Sequence, residues 1–523
     1  MLVYGDHREI ADPDERLGRL ADDLSAIVLM PAGIERHAKL VGALIEAGQL
    51  LQGVADAGFE TGELDEFVYG LAACAVRSWD SGFNATGELP SFAVVELPER
   101  VELRLPEGFA FYAVYPEAYA EAARKLRLVG PPRVIGIRSI GTTLGAVAAA
   151  ALEAPVPIHV RPFGNPFARK VDLPEEVLDR TAHYVIVDEG PGLSGSSFGA
   201  VADWLEARGV PLERIAFLPS HDGDPGPHAS EAHRKRWLRA QRAPAEFDPS
   251  FLAERFGPLE QFRGGGPWQR RKYFGSRDGE RVLIKFAGLG GIGKRKFEMA
   301  RALHSGGFTP EPLELVHGFI VERWHGNARP LHTGENPIDE IGRYIGARAR
   351  LFPADESSGA SVGELLTMCR RNISLALGEA AVPLDWFDVD ALSPCVRRVR
   401  IDGKLDRQEW LRLPDGRLLK TDALDHHQAH DLIGCQDIAW DLAGATVEFE
   451  LDEHEADRLI AATDQAVDPE LLEFCRIAYA AFRLGQAALA GRDAAADRYR
   501  DALHHHLLQK STRRATPQES LVD

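Results

Sequence analysis

Two adjacent carboxylates, Asp188 and Glu189, directly follow an apolar run at residues 184–187. The run predicts a buried strand, and a loop of small residues leads from it into residues 198–208, which have helical spacing. Backbone amides in such a loop, together with the N-terminus of the following helix, attract anionic oxygens. The carboxylates beside them can accept hydrogen bonds from sugar hydroxyls. This stretch therefore predicts a site for a sugar that carries a phosphate.

A second loop occupies the same position at the end of another predicted strand, residues 133–137. Arg138 offers a forked, permanently charged donor there. Backbone amides at the start of the helix predicted over 141–152 can also bind anionic oxygens. An ordinary helix cap made by Thr142 or Thr143 is the alternative explanation. The residues of this loop that we assign to phosphate binding are Arg138, Ser139, Gly141 and Thr142.

The order of strand, acid pair, small-residue loop and helix resembles the motif with which type I phosphoribosyltransferases bind 5-phosphoribosyl 1-pyrophosphate (PRPP). The resemblance implies that Asp188 and Glu189 are catalytic residues that hold the ribose hydroxyls and the metal ion. An ordinary strand, turn and helix of another α/β domain is the alternative. The loop that would hold the 5′-phosphate comprises Gly190, Gly192, Leu193, Ser194, Gly195, Ser196 and Ser197.

The same resemblance places pyrophosphate on the loop that begins at Arg138 and a mobile catalytic loop after residues 157–160. Arg161, Arg169 and Lys170 would then lie over the pyrophosphate, unless this segment is an irregular surface loop. The implied reaction is displacement at the anomeric carbon of PRPP, in which positioning and charge stabilisation dominate. Mg²⁺ would bridge pyrophosphate and ribose oxygens while it keeps several waters.

The alternation of strand and helix patterns between residues 109 and 220 predicts the α/β fold class, with a mainly parallel sheet and helices on both faces. Ligands of such sheets bind beyond the carboxyl ends of the strands, where both loops lie. We expect residues 1–105 to form a helical hood, 106–245 the transferase-like core and a linker, and 246–523 a second domain. The expected strands of the core are 109–115, 133–137, 157–160, 184–187 and 215–218.

The second domain begins with a strand predicted over 281–285 that ends in Lys285, and Glu298 follows in a helix predicted over 295–304. With a later strand at 318–324, this order resembles the N-lobe of the aminoglycoside phosphotransferase and choline kinase family. The resemblance implies a bilobal α+β kinase-like domain. In it, Lys285 would bind the ATP phosphates and Glu298 would orient that lysine.

The C-terminal part matches this family only partly. Asp422 follows a strand, as the family's metal-binding aspartate does, and residues 437–443 match its Asp-Pro-x-x-Asp-Leu-Ala signature with isoleucine in place of proline. The catalytic loop matches the family pattern at one position, where Asp402 stands for the catalytic aspartate. It departs from the pattern at the second metal ligand, which Glu409 replaces after a longer gap. Asp406 is a rival for the catalytic base.

Three histidines, His426, His427 and His430, lie between Asp422 and Asp437. They have the spacing of metal ligands, but no fourth partner occurs at a known spacing. We therefore favour a solvated or phosphate-facing loop.

The composition and net charge of the chain argue against several classes of partner. The 60 Lys and Arg residues against 79 Asp and Glu residues give a net charge of −19, which argues against broad binding to nucleic acid or to an anionic membrane. Five scattered cysteines without a CxxC pair predict a reduced, cytoplasmic protein. No apolar run is long enough to span a bilayer. We expect small molecules as partners, and the sequence leaves open whether the chain forms a homodimer.

Three hypotheses about function result. The first is a PRPP-dependent transferase for a base-like or other small acceptor, bifunctional if the kinase-like domain phosphorylates a related molecule. The second is a regulatory protein that senses PRPP or nucleotides and has an inactive kinase-like domain. The third is a small-molecule kinase with a degenerate transferase domain. We favour the first, with Mg²⁺ as cofactor and with PRPP and ATP as substrates.

Overall fold

The computed structural model describes residues 1–5, 8–92, 96–262, 271–378, 387–428 and 431–515. The chain forms two compact units. The N-terminal unit comprises Arg8–Phe297 and Leu313–Arg323, and the C-terminal unit comprises Met1–His7, Glu298–Pro312 and Trp324–Asp523. This division into compact units does not follow the domain boundary that the sequence predicts at residue 246. That boundary stays a prediction.

The N-terminal unit opens with three long helices. The side chain of Asp12 accepts hydrogen bonds from the first amides of the first helix, and a proline at its first position suits the helix backbone. These helices fill most of the region predicted to form a hood. The elements are β1 (Arg8–Ala11), α1 (Pro13–Leu29), α2 (Ile34–Asp56), α3 (Gly62–Asp80) and β2 (Val101–Arg104), and β1 pairs antiparallel with β2.

The predicted parallel sheet is present. Its elements are α4 (Pro116–Arg124), β3 (Pro132–Ile137), α5 (Ile140–Ala151), β4 (Ile158–Val160), β5 (Phe163–Asn165), β6 (Ala168–Lys170), β7 (His183–Val187), α6 (Ser196–Ala207), β8 (Ile215–Leu218), α7 (Glu231–Arg239) and β9 (Gln241–Arg242). The strand order is β4-β3-β7-β8-β9, and every neighbouring pair is parallel. Strands β5 and β6 form a separate antiparallel hairpin.

Strand β7 is buried on both faces of the sheet. Val185 and Val187 pack into a core that they share with α2, α3 and α5. Tyr184 and Ile186 pack into another core with α6 and α7. Successive side chains of a strand point to opposite faces, so a strand that is covered on both sides needs an unbroken apolar run. This explains why the run at 184–187 was readable from the sequence.

One expected strand of this region is wrong. A single π-helical turn, Gly108–Tyr112, takes the place of the strand expected over residues 109–115. Phe109, Ala110 and Phe111 are buried in this turn. A short apolar run has the same composition in a buried turn as in a buried strand, so periodicity alone did not distinguish them.

An antiparallel sheet completes the N-terminal unit. The elements of this region are α8 (Ser250–Phe256), β10 (Glu260–Gln261), β11 (Lys272–Arg277), β12 (Glu280–Phe286), α9 (Gly290–Ser305), β13 (Pro312–Val316) and β14 (Phe319–Arg323). The division between the units falls within α9, after Phe297. The strand order is β10-β11-β12-β14-β13. Phe286 and Phe319 of this sheet belong to the same apolar core as Val185 of the parallel sheet. That shared core explains why the compact unit extends past residue 246.

The C-terminal unit is mainly helical. It contains a small antiparallel sheet of order β15-β16-β17. Trp440 packs edge-on against Tyr479 and Phe482 in its core. The elements are β15 (Arg329–Pro330), α10 (Ile338–Leu351), α11 (Val362–Leu377), α12 (Val389–Leu392), β16 (Trp410–Arg412), β17 (Leu418–Lys420), α13 (Ala439–Glu448), α14 (Glu453–Thr463), α15 (Pro469–Leu489) and α16 (Asp493–Ala515).

The first residues of the chain belong to the C-terminal unit. The amide of Leu2 donates to Asn372 Oδ1 at 2.6 Å. The carbonyl of Val3 accepts from the amide of Leu432 at 2.9 Å. Val3 is buried, and a Cβ built on Gly485 would lie 2.6 Å from its Cγ1. This segment is therefore an internal part of the unit's core.

All five cysteines are free thiols. Among the described residues, none of the helices combines the length and the apolar character that crossing a bilayer requires.

Candidate functional site

The connections of the parallel sheet diverge between β3 and β7. The chain leaves β3 through α5 toward β4 on one side, whereas it leaves β7 through α6 toward β8 on the other side. In open α/β sheets, ligands bind beyond the carboxyl ends of the strands at such a topological switch point. The two loops predicted to bind phosphates, 138–142 and 188–197, follow β3 and β7 at this point.

The acid pair is built into the end of β7. Asp188 Oδ1 accepts from the amide of Glu189 at 2.8 Å, and the carbonyl of Asp188 accepts from Tyr119 Oη at 3.0 Å. Glu189 Oε2 accepts from the amide of Gly108 at 3.1 Å. A Cβ on Gly108 would lie 2.7 Å from that oxygen, so the π-helical turn needs glycine to approach the acid pair this closely.

The pKa of Asp188 is raised to about 7. Burial of the carboxyl group is the main cause, because it disfavours the charged form. The hydrogen bond from Glu189 and the positive charges of Arg169 and Arg161 act in the opposite direction but do not outweigh burial. A bound cation or a hydrogen-bond donor from a ligand would favour the ionised form.

The loop after the acid pair turns on three glycines with positive φ, namely Gly190 at 121°, Gly192 at 64° and Gly195 at 60°. Gly195 precedes the first residue of α6 and provides no side-chain cap, but the hydroxyl of Ser194 accepts from the amide of Ser196 at 3.2 Å. The amide of Gly190 donates to Ser220 Oγ at 3.2 Å. Leu193 is 60% exposed, and Ser197 is half-buried.

The hairpin β5–β6 lies against this loop. The hydroxyls of Ser194 and Ser196 donate to the carbonyl of Pro166 at 3.3 and 2.7 Å. Arg169 and Lys170 are exposed on β6, and Arg169 is the positive charge that most lowers the pKa of Asp188. The segment predicted to be a basic loop over the site is therefore a two-stranded hairpin that contacts the predicted phosphate loop.

Arg138 and Arg161 converge on Asp56, at the C-terminal end of α2. Arg161 Nε donates to Asp56 Oδ1 at 3.1 Å, and its Nη1 donates to the carbonyl of Arg138 at 2.9 Å. Arg138 Nη1 lies 3.5 Å from Asp56 Oδ1. Asp56 precedes these arginines by many residues and follows no strand, so nothing in the sequence pointed to it.

The loop after β3 is tightly packed. Ser139 is the residue before α5, and its carbonyl accepts from the amide of Thr142 at 3.2 Å. A Cβ on Gly141 would lie 2.7 Å from the carbonyl oxygen of Val187. Helix α5 begins at Ile140, so the alternative of a cap made by Thr142 or Thr143 is wrong. Thr142 is fully buried inside the first turn, and its Oγ1 has no hydrogen-bond partner among the described residues.

Lys285, at the end of β12, has a different acidic partner from the one expected. Its Nζ lies 2.6 Å from Glu322 Oε1 on the neighbouring strand β14. Glu298 is exposed on α9. Leu283 lies opposite Glu322 in this antiparallel pair, which places Lys285 two residues along the strand on the same face. The strand pairing therefore supplies Glu322 as the partner of Lys285, in place of the predicted Glu298 on the helix.

The carboxylates predicted for catalysis in the C-terminal unit are neutralised by lysines. Lys420 Nζ is fully buried and lies 3.3 Å from Asp402 Oδ2 and 2.9 Å from Glu409 Oε2. Lys404 Nζ lies 2.6 Å from Glu409 Oε1 and 3.1 Å from Asp406 Oδ2. Both oxygens of Glu409 are thus held by ammonium groups, and a metal ion at Glu409 must compete with them.

The pKa of Asp402 follows from this arrangement. Burial alone would raise it, but the charge of Lys420 and a hydrogen bond with His426 hold the pKa well below its usual range. Asp441 has a structural role, because its oxygens accept from the amides of Asp402 at 2.9 Å and Gly403 at 2.8 Å. The group at Asp402 is therefore ionised and internally compensated.

Glu409, Asp422 and His426 nevertheless lie close enough together to hold one metal ion. His426 Nε2 is 3.8 Å from Asp422 Oδ2, and its Nδ1 is 3.0 Å from the carbonyl of Asp402. Of the three histidines considered from the sequence, His426 joins this group, His427 is buried, and His430 lies outside the described residues.

No family model matches the chain, and no curated protein matches it. Among solved structures, choline kinase LicA from Streptococcus pneumoniae is 16% identical with a TM-score of 0.34, over 50% of this chain and 97% of its own. A choline/ethanolamine kinase family protein from Mesorhizobium loti is 17% identical with a TM-score of 0.31, over 51% and 92%. A thermostable mutant of aminoglycoside phosphotransferase APH(4)-Ia is 13% identical with a TM-score of 0.30, over 50% and 99%. Structural similarity at TM-scores this low does not indicate a function for this chain. Any proposal must rest on the geometry of the chain itself.

Proposed function

We propose that the N-terminal unit is a PRPP-dependent phosphoribosyltransferase that acts on a base-like or other small acceptor. The observation that carries this proposal is the convergence, at one switch point of a parallel sheet, of an acid pair and a glycine-rich loop entering a helix. The acid pair suits ribose hydroxyls, and the loop suits a phosphate. PRPP carries both groups on one sugar.

The charges around the switch point support the same ligand. Asp188 and Glu189 offer carboxylate oxygens, the donors that Mg²⁺ takes in proteins. Arg169 and Lys170 on the hairpin offer positive charge to a pyrophosphate. Arg161 is bonded to Asp56, so it would have to exchange that carboxylate for a ligand oxygen.

The proposed reaction breaks the bond between the anomeric carbon of ribose and a pyrophosphate oxygen, and the electron pair leaves with pyrophosphate. The acceptor atom forms the new bond to the same carbon. Because positive charge develops on the ribose ring while negative charge develops on pyrophosphate, the protein contributes positioning and electrostatic stabilisation rather than a covalent intermediate. Mg²⁺, when bound, neutralises part of that charge.

Calorimetric titration of the full chain with PRPP tests this proposal. We expect saturable binding with Mg²⁺ present and much weaker binding after chelation with EDTA. Ribose 5-phosphate, which lacks pyrophosphate, is the matched ligand and should bind more weakly than PRPP. Release of pyrophosphate should then be measured against a panel of purine, pyrimidine and amine acceptors. Absence of any heat or saturation with PRPP and Mg²⁺ would contradict the proposal.

A second candidate function is nucleotide binding by the kinase-like half, as its resemblance to phosphotransferases implies. The observation in its favour is the grouping of Glu409, Asp422 and His426 as candidate metal ligands. Titration with ATP should then depend on Mg²⁺, and Asp422→Asn should weaken that dependence. ATP binding that changes neither with Mg²⁺ nor with this substitution would contradict a metal site at these residues.

A further inference from the structure

A carboxylate of the N-terminal helices holds two of the arginines that we assign to pyrophosphate. Asp56 is the last residue of α2, and Arg161 approaches it with two donors, Nε to Oδ1 at 3.1 Å and Nη2 to Oδ2. Arg138 Nη1 lies 3.5 Å from the same Oδ1. A forked guanidinium group pairs with a carboxylate and with a phosphate through the same geometry. Asp56 therefore takes the place that phosphate oxygens would take at Arg161.

Both arginines lie at the edge of the sheet that carries the acid pair. Arg138 follows β3 and Arg161 follows β4, and these two strands are parallel neighbours. The amide of Arg138 donates to the carbonyl of Val160 at 2.8 Å, and Arg161 Nη1 donates to the carbonyl of Arg138 at 2.9 Å. Burial raises the pKa of Asp188, and the positive charge of Arg161 is among the groups that oppose this rise. The charge of Arg161 therefore already acts on the proposed PRPP site.

Helix stability does not explain a carboxylate at residue 56. The C-terminus of a helix carries partial negative charge, so it favours cations and disfavours a carboxylate. The last turn of α2 contains no basic residue that would compensate Asp56. The carboxylate is nevertheless held in position by Gln52, a buried residue one turn earlier, whose Nε2 donates to Oδ2 at 2.6 Å. The partners that account for Asp56 are thus the two arginines.

The ion pairs of Asp56 are open to exchange. The side chains of Arg138, Arg161 and Asp56 are 17%, 21% and 24% exposed, so a dissolved anion can reach them. Burial lowers the pKa of Arg138, the charge of Asp56 opposes this effect, and the charge of Arg161 adds to it. The two guanidinium groups therefore repel each other and gain from an anion between them. A pyrophosphate group offers more negative charge and more acceptor oxygens than one carboxylate.

We propose that Asp56 is a positioning residue that sets the affinity of the pyrophosphate subsite. It pairs with Arg161 and Arg138 in the free chain and gives both up to a bound pyrophosphate group. This inference rests on the proposed function, because it takes the pyrophosphate of PRPP as the group that replaces Asp56. Binding is then an exchange of anions, so the loss of the Asp56 contacts offsets part of the gain at the arginines. A ligand with a single negative charge gains little from this exchange, which favours pyrophosphate.

Calorimetric titration of the full chain with inorganic pyrophosphate and Mg²⁺ tests this proposal. Asp56→Asn removes the competing charge and keeps the shape of the side chain. We expect this variant to bind pyrophosphate about three- to tenfold more tightly than the unmodified chain, the scale of losing a partly exposed ion pair. Its affinity for ribose 5-phosphate should stay unchanged, because that ligand carries no pyrophosphate. A merely structural role of Asp56 would not separate the two ligands in this way.

Two further variants locate the effect. Glu60→Gln removes the same charge from an exposed position four residues later and should leave pyrophosphate affinity unchanged. In the background of Arg161→Met, Asp56→Asn should change that affinity by less than about twofold, because the main group that it releases is absent. An equal gain from Glu60→Gln, or a full gain in the Arg161→Met background, would overturn the proposal in favour of a general charge effect.

The outcomes separate this inference from the proposed function. Titration of the unmodified chain with PRPP tests the transferase, whereas the pyrophosphate titrations test Asp56. Equal or weaker pyrophosphate binding by Asp56→Asn, or no pyrophosphate binding by any variant, would overturn the inference. Asp56→Ser also removes the charge and must reproduce the gain if Asp56→Asn fails to fold. Loss of cooperative thermal unfolding in both variants would show a structural role for Asp56 and would overturn the proposal as well.

Discussion

Asp188 in the N-terminal unit and Asp402 in the C-terminal unit are the same chemical group, yet their pKa values move in opposite directions. Burial dominates at Asp188 and raises its pKa to about 7. At Asp402, the charge of Lys420 and the hydrogen bond with His426 outweigh burial and lower the pKa. A bound cation would stabilise the ionised form of Asp188, whereas Asp402 already has an internal cation in Lys420. A buried carboxyl group without an internal cation thus differs from one that has such a cation, even where both follow motif-like sequence.

The largest effect is expected when the internal cation is removed. Lys420→Met leaves Asp402 and Glu409 buried without their shared ammonium, and breaking a buried pair in this way costs about 3–5 kcal/mol of unfolding free energy. Chemical denaturation of the full chain, followed by hydrogen exchange in residues 398–420, measures it. Lys235→Met is the control, because Lys235 pairs with Glu231 on the surface. Stability equal to that of the unmodified chain would show that the pairing of Lys420 contributes little.

The matching change at the other site should affect activity instead. Asp188→Asn combined with Glu189→Gln removes both negative charges but keeps the shapes of the side chains. We expect PRPP-dependent pyrophosphate release to fall by roughly 10²–10³-fold, the scale of losing electrostatic groups aimed at a reacting centre. Thermal unfolding should remain cooperative. Glu175→Gln with Glu176→Gln is the matched control at an exposed acid pair, and undiminished turnover in the first variant would reject the assigned roles.

Binding of PRPP should depend on pH through Asp188. Its pKa of about 7 means that the carboxyl group is mostly protonated below that pH and ionised above it. A ligand that requires the ionised form then binds up to about tenfold more weakly for each unit of pH below 7. Calorimetric titrations between pH 6 and 8 measure this dependence, and Asp188→Asn should abolish it. A flat profile in the unmodified chain would mean that the carboxyl group is ionised throughout.

The smallest effect is expected at the outer lysine of the C-terminal cluster. The side chain of Lys404 is 34% exposed, so water compensates Glu409 and Asp406 when its charge is lost. Lys404→Met should therefore cost only about 1 kcal/mol. The same denaturation experiment compares it directly with Lys420→Met. Equal destabilisation by the two substitutions would show that burial is not what separates them.

The sequence predicted well the parts of the fold that depend on local pattern. Strand β7, the loop of residues 188–197 and the start of α6 follow from an apolar run, two acids and small residues that are contiguous in the chain. The turn at Gly108–Tyr112 was missed because a short apolar run does not reveal its backbone conformation. The role of Gly108, whose amide reaches Glu189, depended on that turn.

Partners that come from distant segments were beyond the sequence. Asp56 binds Arg161 across 105 positions of chain, and Lys420 approaches Glu409 through the pairing of a small sheet. Glu322 replaced the expected partner of Lys285 for a similar reason, because strand neighbours are set by the register. Only Lys420 left a signal, since a lysine stood two residues before the predicted metal-binding aspartate.

The hydrogen bond between Leu2 and Asn372 joins residues that are 370 positions apart. The residues that receive Leu2 and Val3, Asn372 and Gly485, lie on α11 and α15, far along the chain from them. Closing so long a loop is entropically costly and slow. Assembly of the C-terminal unit therefore requires this long loop to close, and residues 2 and 3 reach their final contacts only when α11 and α15 are in place.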